Sequence, residues 1–110
     1  KQAGLRIFGT TVRSRVLLTL ALLEQTYPRE LARVAKVPLM SVQRIVNDLE
    51  RQGVVASRLR GAQREVRLNP SYFAASELRA LLLRLSETNQ PLVRQIESMR
   101  RRPRRAGKEL

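Results

Sequence analysis

The apolar rhythm of this chain changes at Gly53, and that change restricts what the chain can become. Before it, Val42, Ile45, Val46 and Leu49 recur at i, i+3, i+4 and i+7, the spacing of a helix with one buried face. After it the period falls to two, and Val54 to Arg60 and Arg64 to Leu68 read as strands around Gly61-Ala62-Gln63. Gly53 suits the left-handed turn that ends a helix, and Gly61 supplies the positive φ of a short hairpin loop. A lone hairpin is marginal in water. Val55, Val66 and Leu68 must therefore lean on helices elsewhere in the chain.

On a helical wheel the side of the 39–52 helix opposite its aliphatic stripe carries Met40, Arg44, Asn47 and Arg51, with Gln43 at its shoulder and Asp48 near its edge. Arg grips guanine bidentately and Asn or Gln does the same to adenine, so such a face can read base edges. An ordinary amphipathic surface helix would show the same stripe. The segments on either side favour the first reading.

Upstream, Thr10 and Thr11 are good N-caps for a helix from about Val12 to Gln25. Its stripe of Val12, Val16, Leu20 and Leu23 is widened by Leu17, Leu18, Ala21 and Leu22, as expected of a central core helix. Thr26-Tyr27-Pro28 breaks it, leaving one or two extended residues. A short helix follows from Arg29 to about Lys36, with Leu31, Val34 and Ala35 inward, and Val37-Pro38-Leu39 turns tightly into the next. Two short helices so joined, the second with a polar face, form a helix-turn-helix. In the hairpin, Arg58, Arg60 and Arg64 cluster toward the projecting end, where they can straddle a phosphate backbone or enter a minor groove.

Downstream, Ser76 is placed to cap a helix from Glu77 to about Thr88 bearing Leu78, Leu81, Leu82 and Leu85. Pro91 can open a further turn with Leu92, Val93, Ile96 and Met99. Three helices and a hairpin already make a core. Leu78, Leu81, Leu82, Leu85, Leu92 and Ile96 are therefore expected to pair with a second copy, although packing on the chain's own first helix would bury them too. Arg100 to Arg105 reads as a basic tail.

Charge and missing residue types narrow the function. With 22 basic residues against 9 acidic ones the formal net charge is +13, and all the basic residues but Lys1, Lys36 and Lys108 are Arg. Self-repulsion of that size points to a polyanionic partner. The sequence has no Cys and no His, and Asp48 is its one Asp. Disulfides, thiol or imidazole catalysis and the usual zinc ligands are thereby excluded. Paired carboxylates and a phosphate-cradling glycine loop are also missing, so the chain is not expected to be an enzyme, and no cofactor is expected. No apolar run is long enough for a membrane span and no secretory signal opens the chain, which predicts a cytoplasmic, nucleoid-associated protein.

In its order of elements the chain resembles the prokaryotic winged helix-turn-helix transcription regulators, the ArsR-type repressors above all. The resemblance rests on Ile7-Phe8-Gly9, Arg29-Glu30-Leu31-Ala32, Ser41-Val42-Gln43-Arg44, Leu49 to Val55, Ser57-Arg58 and Arg67-Leu68-Asn69-Pro70, and covers roughly Leu5 to Ser86. It implies a mainly helical fold with a small two-stranded wing, a recognition helix in the major groove and a homodimer made by the terminal helices. It departs from the family at Pro38 and Met40, where hydroxyl residues are usual. Lacking Cys and His, the chain cannot carry over metal-released repression.

The expectation is thus a winged helix-turn-helix domain over 1–88, with a helical extension and basic tail over 89–110. Gln43, Arg44 and Asn47 would reach bases of double-stranded DNA, and Met40 a thymine methyl. Ser41, Arg51, Arg29, Arg58, Arg60 and Arg64 would hold phosphates or the minor groove. A second expectation, suggested by the opening Lys1, is a winged-helix interaction or RNA-binding module of a larger protein. Few aromatic residues argue against stacking on single strands.

Overall fold

A computed structural model describes residues 7–101. Helix α1 (Thr11–Leu23) is capped by Thr10, whose side-chain oxygen accepts from the Arg13 amide at 3.0 Å. It is the core helix expected, since Val16, Leu17, Leu18, Leu20 and Ala21 are all buried. Leu23 is half-buried and Val12 lies partly in solvent, so the stripe is not buried along its whole length.

The connection after α1 has the short extended piece expected, but it comes earlier. Glu24 adopts φ 74°, ending the helix two residues early, and Gln25–Thr26 forms strand β1. Helix α2 (Pro28–Ala35) starts on its proline and buries Leu31, Val34 and Ala35. Lys36, at φ 60°, turns the chain into helix α3 (Leu39–Arg51). Pro38 stands at the N-cap of α3 and gives it no side-chain cap.

Strands β2 (Val55–Arg60) and β3 (Gln63–Leu68) pair antiparallel, from Val55 opposite Leu68 to Arg60 opposite Gln63. Only Gly61 and Ala62 form the loop, one residue fewer than expected, and Gly61 has φ 65°. The sheet is also larger than a two-stranded wing. β1 pairs with β3, Gln25 opposite Arg67 and Thr26 opposite Val66, giving the order β1-β3-β2. Alternation places Val55, Val66 and Leu68 against the helices, with Val55 and Val66 fully buried and Leu68 packed on the core.

The C-terminal helices correct the sequence reading most. Helix α4 (Ala75–Ser86) begins before Ser76, which is exposed and does not cap it. A turn after Pro70 sets the start instead, with the Tyr72 and Ala75 amides donating to the Asn69 and Tyr72 carbonyls. Gln90–Arg101 forms a full helix, α5, and the Leu92 amide donates to the Asn89 side chain at its start. Leu82 lies at 0 % exposure in the main core, while Leu92 and Ile96 form a second cluster with Val34, edged by Leu22, Leu23 and Met99. Leu78 and Leu85 pack on the main core half-buried. Of the six residues expected at a dimer contact, only Leu81 is exposed. An apolar stripe satisfies the hydrophobic effect as well on its own chain as on a partner, and here α1 and α2 cover most of it. Arg100 donates to the Leu22 carbonyl, tying α5 back to α1. Arg102 to Arg105 lie outside the described residues.

Leu31→Ala, at a fully buried site, is expected to cost about 2–5 kcal/mol in urea unfolding. Leu59→Ala on the exposed part of the wing should stay within about 0.5 kcal/mol.

Candidate nucleic-acid interface

Val42, Val46 and Leu49 are buried at 3 % exposure or less, which fixes the rotation of α3 about its own axis. Ile45 packs on the same core half-buried. Helix geometry then sends Met40, Arg44, Asn47 and Arg51 to the opposite side, where all four are exposed. At 1.5 Å per residue that ridge is about 17 Å long.

The two flanks of the ridge differ. Toward α1, Ser41, Arg44 and Gln52 line a cleft with Arg13, Val12 and Tyr72. Toward the wing, Gln43 shares a groove of about 330 Å³ with Arg29, Ala62, Gln63 and Arg64. Gln43 therefore sits beside the hairpin and not on the crest of the helix. The structure brings Arg29, at the start of α2, to that same groove.

The arginines fall into two groups according to their partners. Arg51 reaches Asp48 at 3.1 Å, Arg58 reaches Glu65 at 2.9 Å, and Arg64 reaches Glu50 at 2.6 Å. Arg29, Arg44 and Arg60 have no carboxylate within ion-pair distance among the described residues. The expected trio of Arg58, Arg60 and Arg64 is divided as well. Strand alternation sends Arg58 and Arg60 to the outer face of the sheet and Arg64 to the face bearing Ser57 and Leu59. Arg64 is half-buried there, so it is not part of a free cluster at the tip.

Asp48 stands at the edge of the ridge and holds three donors. Arg13 Nη2 donates to it at 2.6 Å, Gln52 Nε2 at 3.0 Å and Arg51 Nη2 at 3.1 Å. The Arg13 hydrogen bond is the largest influence on its carboxyl and, with the charges of Arg13 and Arg51, keeps it below the ordinary carboxylate range despite some desolvation. Arg13, which no sequence pattern marks, thus connects the first turn of α1 to the C-terminal part of α3. Glu50 is likewise unmarked, and Leu59 stands 75 % exposed on the wing. Alternation puts Leu59 on the same face as Val55, but it lies beyond the end of the packed core, and nothing local pairs Arg13 with Asp48.

No family model matches the chain, and no curated protein matches it. Among solved structures it is similar to a MarR family transcriptional regulator from Silicibacter pomeroyi, with a TM-score of 0.57 and 24% identity, covering 86% of this chain and 65% of that one. The fold is a winged helix. The chain spans slightly under two thirds of that regulator's length. In this fold α2 and α3 form the helix-turn-helix and β2–β3 the wing. Among the described residues no helix is long and apolar enough to cross a membrane, and no group of His, Cys, Asp and Glu is placed to hold a metal ion.

A carboxyl whose pKa is depressed by folding adds stability above its unfolded value and loses it as pH falls through the folded one. The contribution of Asp48 should therefore be complete above about pH 4 and fade below it. Asp48→Asn is expected to flatten the acid limb of a stability-against-pH profile measured by thermal melts between about pH 5 and pH 2.

Proposed function

We infer that the protein is a sequence-specific, double-stranded DNA-binding transcription regulator without enzymatic activity. One observation carries this: the aliphatic side of α3 is locked into the core while Arg44 and Asn47 stand exposed on its crest, beside a basic wing. Arg44 and Asn47 would read bases in the major groove, with Gln43 at the wing side and Met40 against a thymine methyl. Ser41, Arg29, Arg51, Arg58 and Arg60 would position the phosphate backbone. The net charge of +13 supplies the long-range attraction. Support also comes from the names involved: the sequence motifs resemble ArsR-type repressors, and the solved neighbour is a MarR family transcriptional regulator. Such a protein acts in the cytoplasm, at the nucleoid.

The proposal includes a homodimer with half-sites about one helical turn, ~34 Å, apart. Its contact would use the apolar groups left exposed, Leu81 and Phe73 with Val12, because the chain's own core occupies Leu82, Leu92 and Ile96. Leu81→Glu should shift sedimentation toward the monomer while leaving the helical circular dichroism intact.

Selection of duplexes from a random pool should return a symmetric site, whereas preference for duplex RNA or single strands would overturn the reading. On that site Arg44→Ala is expected to cost about 1–3 kcal/mol and relax one base position. Arg60→Ala should weaken all sequences alike and lower the salt slope by about one. Loss of sequence preference from Arg60→Ala, with Arg44→Ala silent, would reverse the assigned roles.

A further inference from the structure

Of the acidic side chains near the ridge, only Glu50 connects the recognition helix to the wing. Asp48 binds donors from α1 and α3, and Glu65 binds Arg58 within the hairpin itself. Glu50 Oε2 accepts from Ser57 Oγ on β2 at 2.9 Å, and Glu50 Oε1 accepts from Arg64 Nη2 on β3 at 2.6 Å. Arg64 Nε closes the triangle onto Ser57 Oγ at 3.4 Å. One carboxylate thus holds both strands of the hairpin at once.

Its place along the wing matters as much as its partners. The base of the hairpin is packed by Val55, Val66 and Leu68. Beyond Ser57 and Arg64 come Arg58, Leu59, Arg60, Gly61, Ala62 and Gln63, all exposed. The Glu50 layer is therefore the last tether to α3 before the free end. Exposed ion pairs add little to stability. A two-point grip from a carboxylate one turn beyond Asn47 and next to Arg51 acts on direction instead, setting the angle between the outer wing and α3. The same carboxylate neutralises Arg64, a guanidinium that would otherwise be available to any phosphate.

We propose that Glu50 is a specificity-determining positioning residue, which clamps the wing to α3 through Ser57 and Arg64 and withholds Arg64 from sequence-independent phosphate binding. This rests on the DNA-binding reading above and deepens it. Non-specific affinity is set by the number of phosphates neutralised, whereas base preference is set by a rigid approach of the reading ridge. Glu50 lowers the first and supports the second, so the ratio between them is the quantity it controls.

The test compares the wild type, Glu50→Gln, Glu50→Ala, Arg64→Ala and the Glu50→Gln/Arg64→Ala double variant. Each is titrated by fluorescence anisotropy against the selected duplex and a scrambled one, over a range of salt. Glu50→Gln keeps hydrogen-bonding capacity but removes the charge. It should tighten binding to scrambled duplex by about eightfold at 0.1 M salt and steepen the slope by about 0.9, the effect of one added phosphate contact. Affinity for the selected site should rise less, so selectivity falls. In the Arg64→Ala background the added slope should vanish. Glu50→Ala also loosens the hairpin beyond Ser57 and Arg64, and NMR order parameters of the amides from 58 to 63 in the DNA-free protein should fall.

An unchanged selectivity ratio in Glu50→Gln would overturn the proposal, as would a slope gain that survives removal of Arg64. Wing amides equally ordered in Glu50→Ala and the wild type would remove the clamp. A wild type with no duplex preference would defeat the functional reading and this proposal together, whereas a selective wild type with unaffected Glu50 variants defeats this proposal alone.

Discussion

The burial of Val42, Val46 and Leu49 against the core built around α1 is the contact on which the molecule's usefulness depends. These three side chains leave α3 a single rotational setting, because turning the helix by one residue, 100°, would drive Gln43, Asn47 and Glu50, or Ser41 and Asp48, into a dry interior. Everything presented to a partner follows from that setting. The exposed side is polar not by local choice but as the complement of the buried stripe. The same core takes Val55 and Val66 from the wing, so the helix and the hairpin are positioned by one packing event.

Electrostatics then divides the arginines within this frame. A net charge of +13 on 110 residues repels itself, and the few acids are not spread evenly. Asp48, Glu50 and Glu65 each hold an arginine that would otherwise add to the field around α3 and the wing. These pairs are partly or fully solvated on at least one side, so their effect on stability is small. Their greater effect is on geometry. Asp48 orders the side chains along one edge of the recognition helix, and Glu50 orders the other edge together with the hairpin.

How far the sequence disclosed this depended on whether a feature repeats. α2, α3 and the wing were legible because several residues in each obey one period, and Gly53 marks the change between them. The break before Pro28 suggested one or two extended residues, but the pairing of β1 with β3 is visible only when the chain is folded. α5 was underestimated because Pro91 resembles an interruption, whereas Asn89 makes it the first turn of a helix. The leucines of α4 and α5 were assigned outward because a stripe does not say which surface will cover it. Among site residues, the ridge followed directly from the wheel. Arg13 and Asp48 lie 35 residues apart, so no sequence pattern could pair them.

The two-residue strand β1 has a consequence beyond enlarging the sheet. Gln25 and Thr26 join the α1–α2 connection to β3, and Thr26 Oγ1 donates to Glu30 at 2.5 Å just inside α2. The base of the wing therefore cannot shift without shearing the segment that leads into the helix-turn-helix. A hairpin hung from α3 alone would keep its freedom in the folded chain; the base of this one has surrendered it during folding. On the DNA-binding reading proposed above, association would leave less disorder to quench, and the difference would go into affinity.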